Sequence, residues 1–242
     1  MPDQPDIPYR RVVLKISGES FCKPGQLGIE PDMLRHIAAE IAEAARLGAE
    51  LAVVVGGGNI IRGAALAENG QVNQSTADYM GMLGTVINGM ALKEALLAEN
   101  QDCRLMSAIQ IPAVAESFIR ARALRHFEKG RVLILVAGTG NPFFTTDTCA
   151  ALRGTELNSQ VLLKATKVDG VYSADPKKNR AATRYDRLTF AEALEKKLGV
   201  MDLTALAMCM QQDLPVVVFD FNVPGNIRRV IGGEKIGTLV TN

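Results

Sequence analysis

A lysine near the end of an apolar run, followed by serine and glycine, is suited to holding a phosphate. Lys15-Ile16-Ser17-Gly18-Glu19 has this form. A stem buried along the run places one ammonium, and Gly18 lets the backbone come close to an anion. A snorkelling lysine beside a turn glycine would read the same way. Gly56-Gly57-Gly58-Asn59 stands between LAVVV and a helical stretch. Consecutive N–H groups at such a junction favour an anion. Arg62, one turn further, could fork onto the same phosphate. A third loop is Gly138-Thr139-Gly140-Asn141-Pro142-Phe143-Phe144-Thr145-Thr146-Asp147. Its hydroxyls and amide can bind a sugar or a base edge, and its phenylalanines can wall a planar ring. Asp147 reads equally as an ordinary first-turn carboxylate and as a partner that orients lysines and metal. The fourth loop runs from Lys164 to Pro176. Thr166, Tyr172 and Asp175 could hold a nucleobase and ribose there, although Asp175-Pro176 is also a common turn initiator. Single lysines, glycine cradles and carboxylates for Mg²⁺ suit phosphoryl transfer, which needs positioning and charge neutralisation more than covalent chemistry.

Several other chemistries are excluded. GxxxxGK[ST] does not occur, and neither does a GxGxxG opening a helix. Gly56, Gly58 and Gly63 make a poor dinucleotide fingerprint, and the HRD and DFG pair of protein kinases is missing. The cysteines, at 22, 103, 149 and 209, form no CxxC. Zinc and dithiol motifs are therefore absent, and four buried or half-buried thiols are expected. His36 and His126 have no triad-like neighbours in sequence, so histidine-centred acid/base chemistry and a histidine-rich metal site are not expected.

These loops need elements to position them. Arg11 to Ser17, Leu51 to Val55, Arg131 to Ala137 and Val161 to Ala165 are short apolar runs of the kind a strand buried on both faces shows. Arg104 to Ser107 is a weaker strand signal, and Pro215 to Phe219 and Ile236 to Val240 complete the set. Helical periodicity covers Pro31 to Leu47, Ser75 to Glu99, Pro112 to Phe127 and Thr146 to Leu157. Strands alternating with helices predict an α/β fold with a mostly parallel sheet, whose ligands lie beyond the carboxyl ends of the strands. With no linker or repeat, residues 1–242 read as a single domain, softly divided near residue 160.

The chain has 242 residues, 48% apolar and 22% charged, with a formal net charge of +1. This suits a globular protein with a sizeable core and argues against disorder or a dominant polyanion-binding face. No nucleic-acid partner is required. No run reaches the ~18 apolar residues of a membrane span. Met1 to Arg10 is polar and holds three prolines, which is unlike a secretory signal, so a cytoplasmic protein is expected.

VVLKISGES, VVVGGGNIIRG, DYMGMLGTVINGMALKEAL, LVAGTGNPFFTTDTCAALRG, LLKATKVDGVYSADP and MDLTALA follow one another in this order. The sequence thereby resembles the bacterial uridylate kinases of the amino-acid kinase superfamily, over about residues 9–241. The resemblance implies a three-layer αβα sandwich, a homohexamer, ATP with Mg²⁺ as donor and UMP as acceptor. It implies that Lys15, Arg62 and Asp147 carry the transfer, Asp147 as the carboxylate orienting the reacting groups. Lys15, Ser17, Gly18, Gly58, Arg62, Thr166, Tyr172 and Asp175 correspond to the ATP side. Gly57, Asp78 and Thr139, Gly140, Asn141, Pro142, Phe143, Phe144, Thr145 and Thr146 correspond to the UMP side. Asp202 occupies a further family position without an assigned role. UTP is expected as an inhibitor in the UMP pocket. Lys93, Arg104 and Arg131 match basic positions of a GTP effector site, but Leu97 and Arg120 replace a histidine and a tryptophan there. A GTP effector would need a different base contact. The alternative from another class is a non-catalytic nucleotide- or oxyanion-binding protein, which would be expected to lose Lys15, Arg62 or Asp147.

Overall fold

The computed structural model describes residues 7–61, 67, 70, 72–176, 178, 179 and 181–242. Five apolar runs become the heart of one sheet: β1 (Arg11–Ile16), β2 (Glu50–Val55), β3 (Cys103–Ser107), β5 (Val132–Val136) and β6 (Val161–Thr166). β4 (Glu116–Ser117), β9 (Arg187–Thr189), β10 (Val216–Asp220) and β11 (Thr238–Thr241) extend it. The order is β4-β3-β5-β2-β1-β6-β10-β11-β9. Every pairing is parallel except β10 with β11. β7 (Val171–Tyr172) and β8 (Arg184–Tyr185) form a separate antiparallel pair.

Alternation along the strands splits the core into two layers. Val12, Leu14, Ile16, Leu51, Val53 and Val55 pack with α1 (Pro31–Ala45), α2 (Gln74–Ala98) and α7 (Asn226–Ile231). Val13, Ala52, Val54, Leu133 and Leu162 face the other way. They meet α3 (Arg120–Glu128), α4 (Thr146–Glu156), α5 (Phe190–Glu195) and α6 (Leu203–Gln211). The result is the expected αβα sandwich. β1 sits centrally, with β2 on one side and β6 on the other. The chain leaves β1 toward one half of the sheet and reaches the other half through β6. The loops after these strands therefore diverge around a crevice, where α/β folds place ligands. Among the described residues no helix is long and apolar enough to cross a membrane.

One expected element differs. The helix expected over Pro112 to Phe127 begins only at Arg120. Val114 and Ala115 N–H groups turn back onto the Ile111 carbonyl. Glu116 and Ser117 then join the sheet edge beside Met106 and Ser107. Edge hydrogen bonds to β3 satisfy this backbone and override the helical spacing of its side chains. The helical stretch expected from Asn59 shows one turn, with Ile60 and Ile61 N–H donating to the Gly57 carbonyl. Residues 62–66, including Arg62, lie outside the described residues.

Candidate active site

Lys15 and Lys164 are register partners on the parallel strands β1 and β6. They project on the face that carries Val13 and Leu162, toward α4. Two ammoniums side by side in a half-dry layer repel unless a carboxylate separates them. Asp147, in the first turn of α4, supplies it. Lys15 Nζ lies 2.8 Å from Asp147 Oδ1, and Lys164 Nζ donates to Asp147 Oδ2 at 2.6 Å. Lys164 also donates to the Val200 carbonyl at 2.5 Å. The Lys15 contact is an ion pair without hydrogen-bond alignment, so Asp147 Oδ1 has no well-aligned donor. Burial pushes the Asp147 carboxyl up, but the charges of Lys15 and Lys164 beside it, with the Lys164 hydrogen bond, outweigh it and hold the group below its ordinary range. Burial, aided by the neighbouring Lys15 charge, lowers the Lys164 ammonium below that of an ordinary lysine; Asp147 opposes this only in part. Asp147 is thus both a first-turn carboxylate and the partner of two lysines.

The glycine loop after β2 is shaped by neighbours that leave no room. A Cβ on Gly56 would stand 2.6 Å from the Gly18 nitrogen, and one on Gly57 would stand 2.6 Å from the Gly81 carbonyl of α2. Gly58 faces open space instead. So Gly56 and Gly57 permit the packing of loop, β1 turn and helix, and Gly58 is the one with room for a ligand. Two buried amides fix this arrangement. Asn88 Nδ2 donates to the Gly56 carbonyl at 2.8 Å, Asn59 Nδ2 donates to the Gly28 carbonyl at 2.8 Å, and the two amides pair with each other. Thr85 Oγ1 accepts from the Ala137 N–H at 2.7 Å and so ties α2 to the loop after β5.

A cavity of about 630 Å³ opens over this cradle. Ser17, Gly18, Gly57, Gly58, Asp78, Thr139, Thr145, Thr146 and Phe144 contribute to its lining. Gly140, Asn141, Pro142 and Phe143 do not line it. Phe143 is 72% exposed, with φ at +69°. Its N–H donates to Asp78 Oδ2 at 2.8 Å, and Gln74 donates to the other Asp78 oxygen. Asp78 therefore ties the 139–146 loop to the start of α2.

A second cavity, of about 370 Å³, is lined by Lys164, Thr166, Tyr172, Asp175 and the 196–200 segment. Thr166 Oγ1 bonds the Val168 and Phe219 carbonyls, and the Tyr172 hydroxyl donates to Asp169 Oδ1 at 2.7 Å. The lysine–aspartate cluster joins the two spaces: Asp147 follows Thr146 of the first and pairs with Lys164 of the second. A further cavity of about 600 Å³ lies at the amino ends of β1, β2 and β5, around Arg11, Glu50 and Arg131. It is at the opposite end of the strands from Lys15, and Arg11 there is committed to Glu50 and the Leu157 carbonyl.

In the sequence Lys164 stands at the end of an expected strand and opens a loop, with no sign of its partner. Its role depends on β6 pairing with β1, which no local signal announces. Asn59, Asn88 and Thr85 are likewise silent in sequence, because a buried amide and a surface amide look alike there. His126 does meet a carboxylate, Glu116 Oε2 at 3.1 Å, although the two stand ten residues apart. This pair lies at the β4 edge, four places along the sheet from β1. All four cysteines are buried and free. Burial pushes the Cys103 and Cys149 thiols up to about 11 and Cys209 to about 12.

The model of the amino acid kinase family matches residues 10–220. Among solved structures, the UMP kinase of Bacillus anthracis is 40% identical at a TM-score of 0.93, covering 97% of this chain and 96% of that one. The UMP kinase of Ureaplasma parvum is 36% identical at a TM-score of 0.90, covering 96% and 99%. The uridylate kinase of Archaeoglobus fulgidus is 30% identical at a TM-score of 0.73, covering 95% and 99%. With the family model spanning most of the chain and these likenesses covering nearly all of it, the protein belongs to the amino acid kinase family, beside the UMP kinases it resembles in sequence and fold.

Proposed function

We propose that this protein transfers the γ-phosphoryl group of ATP to UMP, forming ADP and UDP. The observation that carries this is the Lys15–Asp147–Lys164 cluster joining two cavities of unlike lining. The similarity to UMP kinases selects the nucleotides. UMP enters the glycine-floored cavity, with Gly57, Asp78 and the 139–146 loop around it. Thr146, whose hydroxyl has no partner among the described residues, faces that space. ATP lies along Ser17, Gly18 and Gly58, with its adenosine toward Thr166, Tyr172 and Asp175.

An oxygen of the UMP phosphate attacks the γ-phosphorus in line. The new O–P bond forms as the bond to the β,γ-bridging oxygen breaks, and that electron pair leaves on ADP. The attacking oxygen is already anionic near neutral pH, so no side-chain nucleophile or strong base is needed. Lys15 and Lys164 neutralise the phosphoryl group in flight, and the family resemblance supports the same role for Arg62. Asp147 holds both ammoniums at fixed separation before the substrates arrive.

Both Asp147 oxygens face ammoniums, and among the described residues no three of His, Cys, Asp and Glu gather into a cage. This donor set fits a Mg²⁺ that arrives on the ATP phosphates, as that ion does in kinases. Ser17, Gly18 and Lys15 would hold it through those phosphates, and it supplies further charge neutralisation there.

We also infer a cytoplasmic homo-oligomer, with a hexamer expected from the family. Tyr79, Leu83, Ile87 and Met90 form an exposed apolar stripe along α2, each at least 41% exposed, which suits a subunit contact. UTP, sharing the uridine, fits as an inhibitor at the acceptor cavity, and GTP remains a candidate effector. The deciding experiment measures nucleoside diphosphate formation from UMP, CMP and dUMP with ATP and Mg²⁺. UDP formation strongly preferred over the other products supports the proposal. ATP binding without any turnover would replace it with a non-catalytic nucleotide-binding role.

A further inference from the structure

We infer that Asp202 is a positioning residue for this phosphoryl transfer, setting the first turn of α4 and through it Asp147; the inference rests on the function proposed above. Asp202 stands at the N-cap of α6, where Oδ1 accepts from the Ala205 N–H at 2.9 Å. That bond would satisfy an ordinary cap. The carboxylate does more. Thr145 Oγ1 donates to Asp202 Oδ2 at 2.5 Å, and buried Thr148 Oγ1 donates to both oxygens, at 3.0 and 3.1 Å.

The proton arithmetic gives this network a direction. A threonine hydroxyl has one proton and can accept at its lone pairs. Thr145 spends its proton on Asp202. Its oxygen is then turned to accept from the Asp147 N–H at 3.0 Å and the Thr148 N–H at 3.2 Å, and so it caps α4. The anionic acceptor at 202 thus orients the cap that fixes Asp147. It also leaves the Thr145 hydroxyl with no proton for a substrate, whereas the Thr146 hydroxyl next to it stays uncommitted. Two residues before Asp202, the Val200 carbonyl holds Lys164. The short 200–202 segment therefore grips two members of the cluster at once: Lys164 by a carbonyl, Asp147 by way of Thr145. Its Val200, with residues 196–199 before it, also lines the second cavity. A change at 202 should reach the donor-side lysine and the acceptor-side loop together, without touching either nucleotide.

The test is Asp202→Asn. Asparagine is as good an N-cap as aspartate, so the Ala205 bond and the fold persist. The amide places a donor at the Oδ2 position, where Thr145 needs an acceptor, while Oδ1 still accepts from Ala205 and Thr148. The expected result is a fall in kcat of about tenfold or more, the loss of a charge-assisted hydrogen bond, with KM for ATP within about twofold. Thr145→Val should fall with it, and Thr145→Ser, which keeps a hydroxyl, should lose less. The double variant Asp202→Asn with Thr145→Val should be little worse than the more damaged single one. Hydrogen exchange, read without substrate, supplies an arm independent of the reaction. The Asp147 and Thr148 amides should exchange about tenfold faster in Asp202→Asn, while the α6 amides beyond Ala205 stay protected. Unchanged exchange at 147 and 148 would overturn the inference whatever the nucleotide turned over. So would multiplicative losses in the double variant. A wild-type protein that makes no UDP would count against the proposed function, and the exchange result would still decide whether Asp202 holds Asp147.

Discussion

Two ammoniums and one carboxylate make the centre of this candidate site, and Lys164 and Asp147 give it its pH limits. In the proposed transfer Lys15 and Lys164 act as ammoniums. Lys164 loses its proton at a lower pH than the ordinary lysine value of 10.5. The rate should therefore fall as pH rises through that lowered value. Lys164→Arg, which does not titrate in this range, should remove the fall at that lowered value while lowering the rate through its altered geometry. A pH profile of kcat for both proteins checks this. Lys15→Ala should cost roughly 10²–10³ in kcat, about 3–4 kcal/mol, as loss of one preorganised charge does elsewhere; near-normal turnover would show that Lys15 is not at the transferred group. Asp147 has a folded value below its ordinary 3.8. Its stabilising share is present above the unfolded value and is lost as pH falls through the folded one. Asp147→Asn should accordingly flatten the acid limb of stability. It should also cost about 3 kcal/mol at neutral pH, because two largely buried ammoniums lose their counter-ion. Urea unfolding at several pH values reads both effects.

At the scale of elements, the phosphate cradle depends on how closely α2 approaches the glycine loop. Asn88 is fully buried and holds the Gly56 carbonyl. Asn88→Ala would leave that carbonyl and the Asn59 amide short of partners, costing about 1–3 kcal/mol by denaturant unfolding. The strands were legible because runs such as LAVVV and VLILV are apolar at every position, as sheets covered on both faces require. α1, α2 and α4 were legible from their periodicity and their boundary residues. The segment from Pro112 to Ser117 was not, since its side chains are spaced for a helix and its backbone obeys a sheet edge. Nor was the β7–β8 pair, whose two-residue strands are too short to carry a period.

For the whole molecule, the expected assembly and the expected ligands are linked through α2. This helix begins beside Asp78 at the acceptor cavity and carries the exposed Tyr79–Met90 stripe along its length. If the stripe is a subunit contact, replacing Leu83 and Ile87 together by glutamate should lower the solution mass toward the 26.0 kDa of one chain. Light scattering measures this directly. The same variant should weaken UMP binding more than ATP binding, since only the acceptor cavity borders α2. UMP at a hundredfold its Kd should stabilise the wild-type protein by about 2.7 kcal/mol.

The amino-acid sequence by itself determined the alternating α/β pattern and the four strand-end loops, and it offered Lys15, the glycines and Asp147 as candidates for handling phosphate. These are local properties: hydrophobic period, turn chemistry and residue type act within a few positions of one another. Only the tertiary structure decided that Lys164 stands beside Lys15, that Asp147 separates them, and that Asp202 turns the Thr145 hydroxyl. These pairings join residues 17 to 149 positions apart, and they exist because β6 lies against β1 and α6 against α4. Strand order and layer packing arise from burial of the whole apolar surface at once, a sum over the chain that no single segment records.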